Sequence, residues 1–228
     1  MTPALVIAID GPAGSGKSSV SREVASRLGL AYLDTGAMYR AATWAVLDRG
    51  INPEDTDAVA ALMTGDAAPA IESGTDPAEP FIRVDGVDVA EAIRGELVTS
   101  AVSAVSAVGA VRQGMVDLQR EHAHASSGIV VEGRDIGSVV LPQADIKVFL
   151  TADPSVRAQR RAAEVNVDDA GSVSATEDAL RARDAKDTTR AISPLAPAEG
   201  SIEIDTTNLT FDDVVDAVIS LVRDAPEG

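Results

Sequence analysis

The sequence predicts an α/β protein whose parallel β-sheet is covered by helices on both faces. Apolar runs recur at 5–9, at 129–131 and, interrupted only by Lys147, at 146–150, and each is typical of a strand buried on both faces. Segments with apolar residues every three or four positions separate these runs, and strands that alternate with helices in this way form parallel sheets. The 228 residues suit one compact unit with a smaller lobe inserted in it.

The first half of the chain begins with a strand and a helix and continues into the inserted lobe. The run at 5–9 predicts the first strand, and the amphipathic stretch 17–28, which a glycine ends, predicts the first helix. A second helix is predicted at 37–48. Prolines punctuate the segment that follows, and 81–89 is typical of a β-hairpin around an Asp-Gly turn. We therefore expect a small β-containing lobe over about 37–96.

The second half of the chain returns to the sheet. Apolar residues that step by three and four from Val98 to Leu118 predict one long helix. The strand runs at 129–131 and 146–150 follow it, and the alternating segment 201–205 predicts a late strand.

Three helices are predicted in the last third of the chain. One begins at Asp153, whose carboxylate can cap it, with a proline in the first turn. The acidic stretch 165–176 is predicted to be irregular and to lead to a helix that runs through Arg183. The last helix begins at Thr210, with Asp213 at the third position of a capping box.

The composition excludes several classes of function. The chain has 19 basic and 36 acidic residues, a net charge of −17, which argues against binding to nucleic acids or anionic membranes. It has no cysteine, which excludes disulfides, thiolate catalysis and cysteine-ligated metals. The histidines, His122 and His124, are expected on the surface. No run reaches the roughly 18 apolar residues of a membrane helix, and nothing resembles a signal peptide, so we expect a cytoplasmic protein.

A glycine-rich motif follows the first strand. Residues 11–18 fit G-x-x-x-x-G-K-[ST] in full, with a buried strand before the motif and a helix after it. In such a loop the backbone N–H groups converge on a polyphosphate, Lys17 reaches the β- and γ-phosphates, and the Ser18 hydroxyl can ligate Mg²⁺. The sequence therefore predicts the P-loop NTPase fold with a nucleoside triphosphate and Mg²⁺ as ligands. The residues assigned to ATP here are Gly11, Pro12, Ala13, Gly14, Ser15, Gly16, Lys17, Ser18 and Ser19.

The rest of the composition indicates the class of P-loop protein. The chain has no Asn-Lys-x-Asp segment of the kind that GTPases use to read guanine, and 228 residues are few for AAA-type or transport ATPases. All but three of the 19 basic residues are arginine, whose planar guanidinium binds phosphate at two points. A small P-loop protein with scattered arginines suits a kinase that phosphorylates a small anionic acceptor.

Four further segments of the chain form short motifs that contain arginine, most of them together with aspartate or glutamate. They are Asp-Thr-Gly-x-x-Tyr-Arg at 34–40, Val-Arg at 111–112, Glu-Gly-Arg-Asp-Ile-Gly at 132–137, and the segment 183–195. Together with the P-loop, and over essentially the whole chain, they resemble the bacterial cytidylate kinases of the nucleoside monophosphate kinase group. The resemblance implies a P-loop fold with an inserted nucleoside-monophosphate lobe and a short helical lid. It also implies a monomer that transfers the γ-phosphoryl group of ATP to CMP and dCMP.

The same resemblance implies roles for individual residues. It implies a CMP site formed by Thr35, Arg40, Ser103, Arg112, Arg134, Asp135, Arg183, Asp187 and Arg190. It implies catalytic roles for Lys17, Arg134, Arg160 and Arg190, an ATP contact for Arg157, and a lid that begins with Arg157, Arg160 and Arg161. The core would comprise about 1–36, 97–155 and 190–228, the acceptor lobe about 37–96, and the lid about 156–189.

The proposed base pocket favours cytosine. The N4 amino group of cytosine can donate to the carboxylate of Asp135, whereas uracil would place an oxygen there, and an unpaired buried polar group costs about 1–3 kcal/mol. Two alternatives remain open: a kinase of another small acceptor, such as AMP, UMP, shikimate or dephospho-coenzyme A, and a regulator that binds ATP without turnover.

Overall fold

The computed structural model describes residues 5–164, 170–189 and 195–224, which contain eight strands and eight α-helices. The strands are β1 (Leu5–Asp10), β2 (Ala31–Asp34), β3 (Ile71–Ser73), β4 (Ile82–Val84), β5 (Val87–Asp88), β6 (Gly128–Gly133), β7 (Ile146–Thr151) and β8 (Ile202–Asp205). The helices are α1 (Lys17–Leu28), α2 (Thr35–Asp48), α3 (Thr56–Thr64), α4 (Glu96–Ala107), α5 (Gly109–Ala125), α6 (Pro154–Glu164), α7 (Ala170–Thr188) and α8 (Phe211–Asp224). A 3₁₀ turn spans Ala92–Arg94, and a short π-helix spans Ile136–Val140.

Five strands form one parallel sheet in the order β2-β6-β1-β7-β8, which confirms the predicted fold class. Strand β6 lies beside β1, with Asp10 opposite Gly133. It also lies beside β2, with Asp34 opposite Glu132. The carboxyl ends of β1, β2 and β6 therefore meet at one edge of the sheet, which is where ligands bind in open α/β sheets.

The sheet has an apolar layer on each face because successive side chains of a strand point to opposite sides. Ile7 and Ile9 of β1 pack with valines of α1 and α8. Ala8, between them, packs on the other face with side chains of α2, α4 and α5. Both layers are mainly aliphatic, since only 3% of the residues are aromatic; Tyr32 is buried in one layer, and Tyr39 and Trp44 pack against the other.

A small antiparallel sheet, β3-β4-β5, lies between α3 and α4 in the chain. The predicted hairpin is present, and its turn residues Asp85 and Gly86 both have positive φ, at 51° and 78°. Helix α3 precedes the sheet and was not predicted; the carboxylate of Asp55 caps it by accepting the N–H of Ala58 at 3.0 Å. The loop between β3 and β4 contacts the main sheet, because the N–H of Tyr32 donates to the carbonyl of Thr75 at 2.8 Å.

The prediction of one long helix from Val98 to Leu118 is wrong. Two helices, α4 and α5, cover this segment, and they meet at Val108, whose ψ of 123° is extended rather than helical. The apolar periodicity does not reveal the break, because Val105 and Val111, on either side of it, are buried in the same core as Val108.

The prediction of an irregular stretch over 165–176 is wrong for its second part. Residues 170–176 belong to α7, which continues to Thr188, and residues 165–169 lie outside the described residues. The acidic residues on which this prediction rested, Asp168 and Asp169, both precede 170, so the part that is helical carries no acidic residue. Within the described ranges, no helix is both long enough and apolar enough to cross a membrane.

Candidate active site

The P-loop spans 11–16 at the carboxyl end of β1, directly before α1. Gly14 has φ of 75°, and a Cβ there would lie 2.7 Å from the carbonyl oxygen of Arg157 on α6. Gly11 has φ of 147°, and its Cβ would lie 2.0 Å from the carbonyl oxygen of Leu150 on β7. Both positions require glycine, since a side chain would push the loop away from the backbone behind it.

Three side chains of the P-loop and the first turn of α1 make defined contacts. The Nζ of Lys17 donates to the carbonyl of Pro12 at 2.7 Å, and the hydroxyl of Ser15 donates to the same carbonyl at 3.0 Å. The hydroxyl of Ser18 donates to Oε2 of Glu132 at 3.0 Å. These contacts place an ammonium, a hydroxyl and a carboxylate beside the helix N-terminus, where a polyphosphate is favoured.

Glu132 lies near the end of β6, and no role was predicted for it. Its second oxygen accepts a hydrogen bond from the hydroxyl of Tyr32. Burial raises the pKa of Glu132 to about 8; the charge of Asp34 adds to this rise, and Lys17 opposes it. The sequence signal was an acidic residue ending a buried strand. Only the pairing of β6 with β1 brings that residue to Ser18.

The raised pKa of Glu132 has a consequence for stability. A group whose pKa is higher in the folded than in the unfolded state favours folding at low pH and loses this contribution as the pH rises. In protein without nucleotide or Mg²⁺, we expect Glu132→Gln to become more stable relative to wild type as the pH rises from 5 to 8. The difference in the free energy of unfolding between variant and wild type changes by at most about 1.4 kcal/mol per pH unit. Urea unfolding at several pH values measures it, and a difference that is the same at every pH would contradict the expectation.

Asp10, also without an assigned role, organises the segment that follows β6. Its two carboxylate oxygens accept the N–H groups of Ile136 and Gly137, each at 2.8 Å. Burial raises the pKa of Asp10 to about 6, although these two hydrogen bonds oppose the rise. The contacts hold the backbone directly after Arg134 and Asp135, so both side chains are presented from an anchored loop.

The charges of three other arginines act on Arg40, which lies on α2 shortly after β2. Burial, together with the charges of Arg161, Arg94 and Arg134, lowers the pKa of Arg40 to about 10, whereas Asp34 opposes the change. The guanidinium of Arg40 donates to the carbonyl of Ile93 and to the hydroxyl of Thr99, at 3.0 and 2.9 Å. Such a concentration of positive charge favours a bound anion such as a phosphate. Arg94, in the 3₁₀ turn, was not among the predicted site residues.

The predicted base-pocket residues Arg112 and Asp135 lie together. Both are buried, and they form an ion pair, although they are 23 positions apart in the chain. The guanidinium of Arg112 also lies over the ring of Tyr39, 5.5 Å from its centroid. Ser103 lies half-buried on α4, where its carbonyl accepts the hydroxyl of Ser106. Thr35 begins α2 and donates to the carbonyl of Glu132 at 2.7 Å.

Helix α7 brings two carboxylates to the predicted arginines. Asp187 lies 3.4 Å from Nε of Arg134, and Asp184 forms an ion pair with Arg157. Arg157 is buried, and it also donates to the carbonyls of Ala152 and Ala13. Arg183 lies in α7, and Arg190 lies outside the described residues.

A cavity of about 200 Å³ adjoins the outer side of the P-loop. Arg160 lines it and donates to the hydroxyl and the carbonyl of Thr206, both at 2.8 Å. The loop and helix after β8 contribute Leu209 and Phe211, and the P-loop side contributes Ser19. The cavity therefore offers an apolar wall and polar groups beside a phosphate-binding loop, which suits a flat heterocyclic base.

Relatives of known name match nearly the whole chain. A family model described as cytidylate kinase matches residues 7–224. The cytidylate kinase of Streptomyces avermitilis is 53% identical over 223 residues, which cover 97% of this chain and 94% of the relative. The cytidylate kinase of Rhodococcus opacus is 51% identical over 227 residues, which cover 98% of this chain and 96% of the relative.

Solved structures with little sequence identity share the fold. A gluconokinase from Sinorhizobium meliloti is 15% identical and covers 98% of this chain and 94% of its own, with a TM-score of 0.50. An uncharacterized protein from Eubacterium ventriosum is 12% identical and covers 96% of this chain and 99% of its own, with a TM-score of 0.51. The family match over residues 7–224 and the identities above 50% confirm the resemblance seen in the sequence: the chain belongs to the cytidylate kinase family.

Proposed function

We propose that this protein transfers the γ-phosphoryl group of ATP to the 5′-phosphate of CMP and of dCMP. The observation that carries the proposal is the position of Arg134. Its guanidinium donates to the carbonyl of Gly11 in the P-loop at 3.3 Å, and its charge acts on Arg40 in the arginine cluster. Arg134 would therefore lie between the proposed site for the donor triphosphate and the proposed site for the acceptor phosphate.

ATP would bind along the P-loop and α1. The N–H groups of the loop and the ammonium of Lys17 would contact the β- and γ-phosphates. The adenine would occupy the cavity lined by Thr206, Leu209 and Phe211, with Arg160 at its wall. In this arrangement Arg160 contacts the nucleoside side of ATP and holds the loop after β8 through its hydrogen bonds to Thr206.

Ser18 and Glu132 fit Mg²⁺. A hydroxyl and a carboxylate are the hard oxygen ligands that this ion takes, and the two oxygen atoms lie 3.0 Å apart at the P-loop. When bound, Mg²⁺ would neutralise charge on the β- and γ-phosphates. Asp34, at the end of the neighbouring strand β2, adds negative charge near Glu132.

CMP would bind at the arginine cluster and the buried ion pair. Arg40 and Arg134 would hold its phosphate, with Arg190 as a third predicted ligand. Asp135 would accept the N4 amino group of cytosine, and Arg112 would donate to N3 and O2. Ser103, Arg183 and Asp187 remain predicted contacts of the base and the ribose.

The acceptor phosphate needs no general base, because it is already largely anionic near neutral pH. The catalytic work is then to align the two phosphates and to stabilise the transferred group with Lys17 and the arginines. Water must be kept out, since ATP would otherwise be hydrolysed. We therefore propose that the lobe over 37–96 and the lid over 156–189 close when both substrates bind.

An acceptor panel tests the proposal. We expect ATP-dependent formation of ADP with CMP and dCMP, measured in a coupled assay, and kcat/KM lower by at least about 5-fold with UMP and AMP. This factor follows from leaving a buried polar group unpaired, which costs about 1–3 kcal/mol. A preference for AMP, UMP, shikimate or dephospho-coenzyme A would contradict it. Formation of ADP that does not respond to any acceptor would favour an ATP-binding regulator.

The monomeric state and the cytoplasmic location of the protein stay predictions.

A further inference from the structure

Asp184 of α7 lies between two arginines that belong to different halves of the site. One carboxylate oxygen, Oδ2, forms an ion pair with Arg157. The other, Oδ1, is buried without a hydrogen-bond partner in the described protein and lies 3.7 Å from Nη1 of Arg134. A single carboxylate is thus shared by an arginine behind the P-loop and an arginine on the acceptor side.

The same two arginines hold the backbone of the P-loop. Arg157 donates to the carbonyl of Ala13 at 3.2 Å, and Arg134 donates to the carbonyl of Gly11 at 3.3 Å. With Asp184 between the arginines, these contacts close a ring that begins and ends on the P-loop. We call this ring, formed by Gly11, Arg134, Asp184, Arg157 and Ala13, the carboxylate-bridged ring.

The ring constrains the atoms that would bind phosphate. In a trans peptide the N–H of one residue points opposite to the carbonyl of the residue before it. The hydrogen bond from Arg157 to the Ala13 carbonyl therefore fixes the direction of the Gly14 N–H, which faces away from Arg157. On the other side, the ring limits the positions that the guanidinium of Arg134 can adopt.

We infer that Asp184 is a positioning residue that serves both substrates of the kinase. It holds Arg157 against the P-loop on the ATP side and Arg134 in place on the CMP side, and it balances two cations that would otherwise repel each other in a largely buried site. The CMP half of this inference rests on the proposed function, whereas the ATP half needs only a P-loop that binds ATP.

The effect on ATP is the larger of the two. Among the ion pairs of the described residues, that with Asp184 is the only one of Arg157, whereas Arg134 has a second carboxylate in Asp187. Loss of the Asp184 charge leaves Arg134 with the carboxylate of Asp187, and it leaves Arg157 without a carboxylate among the ion pairs of the described residues. We expect the Kd for ATP to rise about 10-fold and the KM for CMP about 3-fold, in line with the 1.4 kcal/mol that a factor of ten represents.

Asp184→Asn is the test variant, because it removes the charge and keeps the shape. The matched control is Glu177→Gln, the same chemical change on the same helix, at a more exposed ion pair with Arg181. Calorimetry with ATP alone measures the Kd, and a coupled assay at saturating ATP measures the KM for CMP. If Asp184→Asn does not fold, Asp184→Ser serves the same comparison. The inference is overturned if the variant stays within twofold of wild type in both quantities.

A double-mutant cycle separates positioning from a general structural role. If Asp184 acts on ATP through Arg157, then Asp184→Asn adds less than twofold to the Kd for ATP when Arg157 is already glutamine. Effects that multiply would show that Asp184 acts independently of Arg157 and would overturn the inference. The ATP arm requires no acceptor, so it decides the role of Asp184 even if the acceptor panel contradicts CMP phosphorylation.

Discussion

Replacement of Arg134 by alanine is expected to lower kcat/KM for CMP by about 10³-fold in a chain that still folds. Arg134 donates to the carbonyl of Gly11 in the P-loop, and its charge lowers the pKa of Arg40, so one guanidinium links the two proposed phosphate sites. A guanidinium that stabilises charge on a transferred phosphoryl group contributes roughly 10²–10⁵ in rate. The side chain is 17% exposed, so its removal leaves a small polar opening rather than a large cavity in the core.

The measurement is a coupled assay over a range of CMP concentrations at saturating ATP. Arg181→Ala is the matched control, because Arg181 lies on α7 in an exposed ion pair with Glu177. We expect the control to retain wild-type kinetics within about twofold. If kcat/KM for CMP in Arg134→Ala remained within threefold of wild type, the acceptor-phosphate site would have been placed at the wrong residues.

Replacement of Lys17 by methionine is expected to lower kcat by about 10³-fold. Methionine keeps the length and most of the volume of the side chain and removes the ammonium, which is the charge nearest the loop that would hold the β- and γ-phosphates. Removal of one preorganised charge-stabilising donor from a site of this kind costs about 10²–10³ in kcat. The variant also loses the hydrogen bond from Lys17 to the Pro12 carbonyl, which helps to hold the P-loop. We therefore expect the Kd for ATP to rise as well, but by a smaller factor than kcat falls.

Steady-state kinetics with CMP and calorimetry with ATP separate the two effects. Lys147→Met is the matched control, since Lys147 lies on β7 and its recorded hydrogen bond is to the exposed carbonyl of Glu199. A Lys17→Met variant with an unchanged kcat would mean that the triphosphate does not lie along the P-loop in the proposed way.

Structural features that depend on local sequence were predicted well. The P-loop was recognised because its glycines, lysine and serine have a fixed spacing, and the Asp85–Gly86 turn because few residues adopt positive φ. The break at Val108 was missed because the apolar periodicity runs across it. Helix α3 was missed because it is short.

The candidate site residues also form two groups: those that a local motif indicates, and those whose partners are distant in the chain. Arg40, Arg112, Arg134 and Asp135 were named from motifs; the structure brings Arg112 to Asp135 and Arg134 to the P-loop, and the roles of all four stay predictions. Glu132, Asp10, Arg94 and Asp184 were not assigned roles, because each matters through a partner that is distant in the chain. Glu132 meets Ser18 at a separation of 114 positions, and Asp10 meets Ile136 at 126.

The sequence by itself determined the α/β class, the loop for a nucleoside triphosphate and the family, since these depend on residues that are neighbours in the chain. The tertiary structure alone decided which carboxylate meets which cation. Strand order brings Glu132 to Ser18, and the packing of α7 on α6 brings Asp184 to Arg157. Asp184 also lies 3.7 Å from Arg134, which follows β6. Electrostatic interactions depend on distance and burial in space, and a sequence records neither.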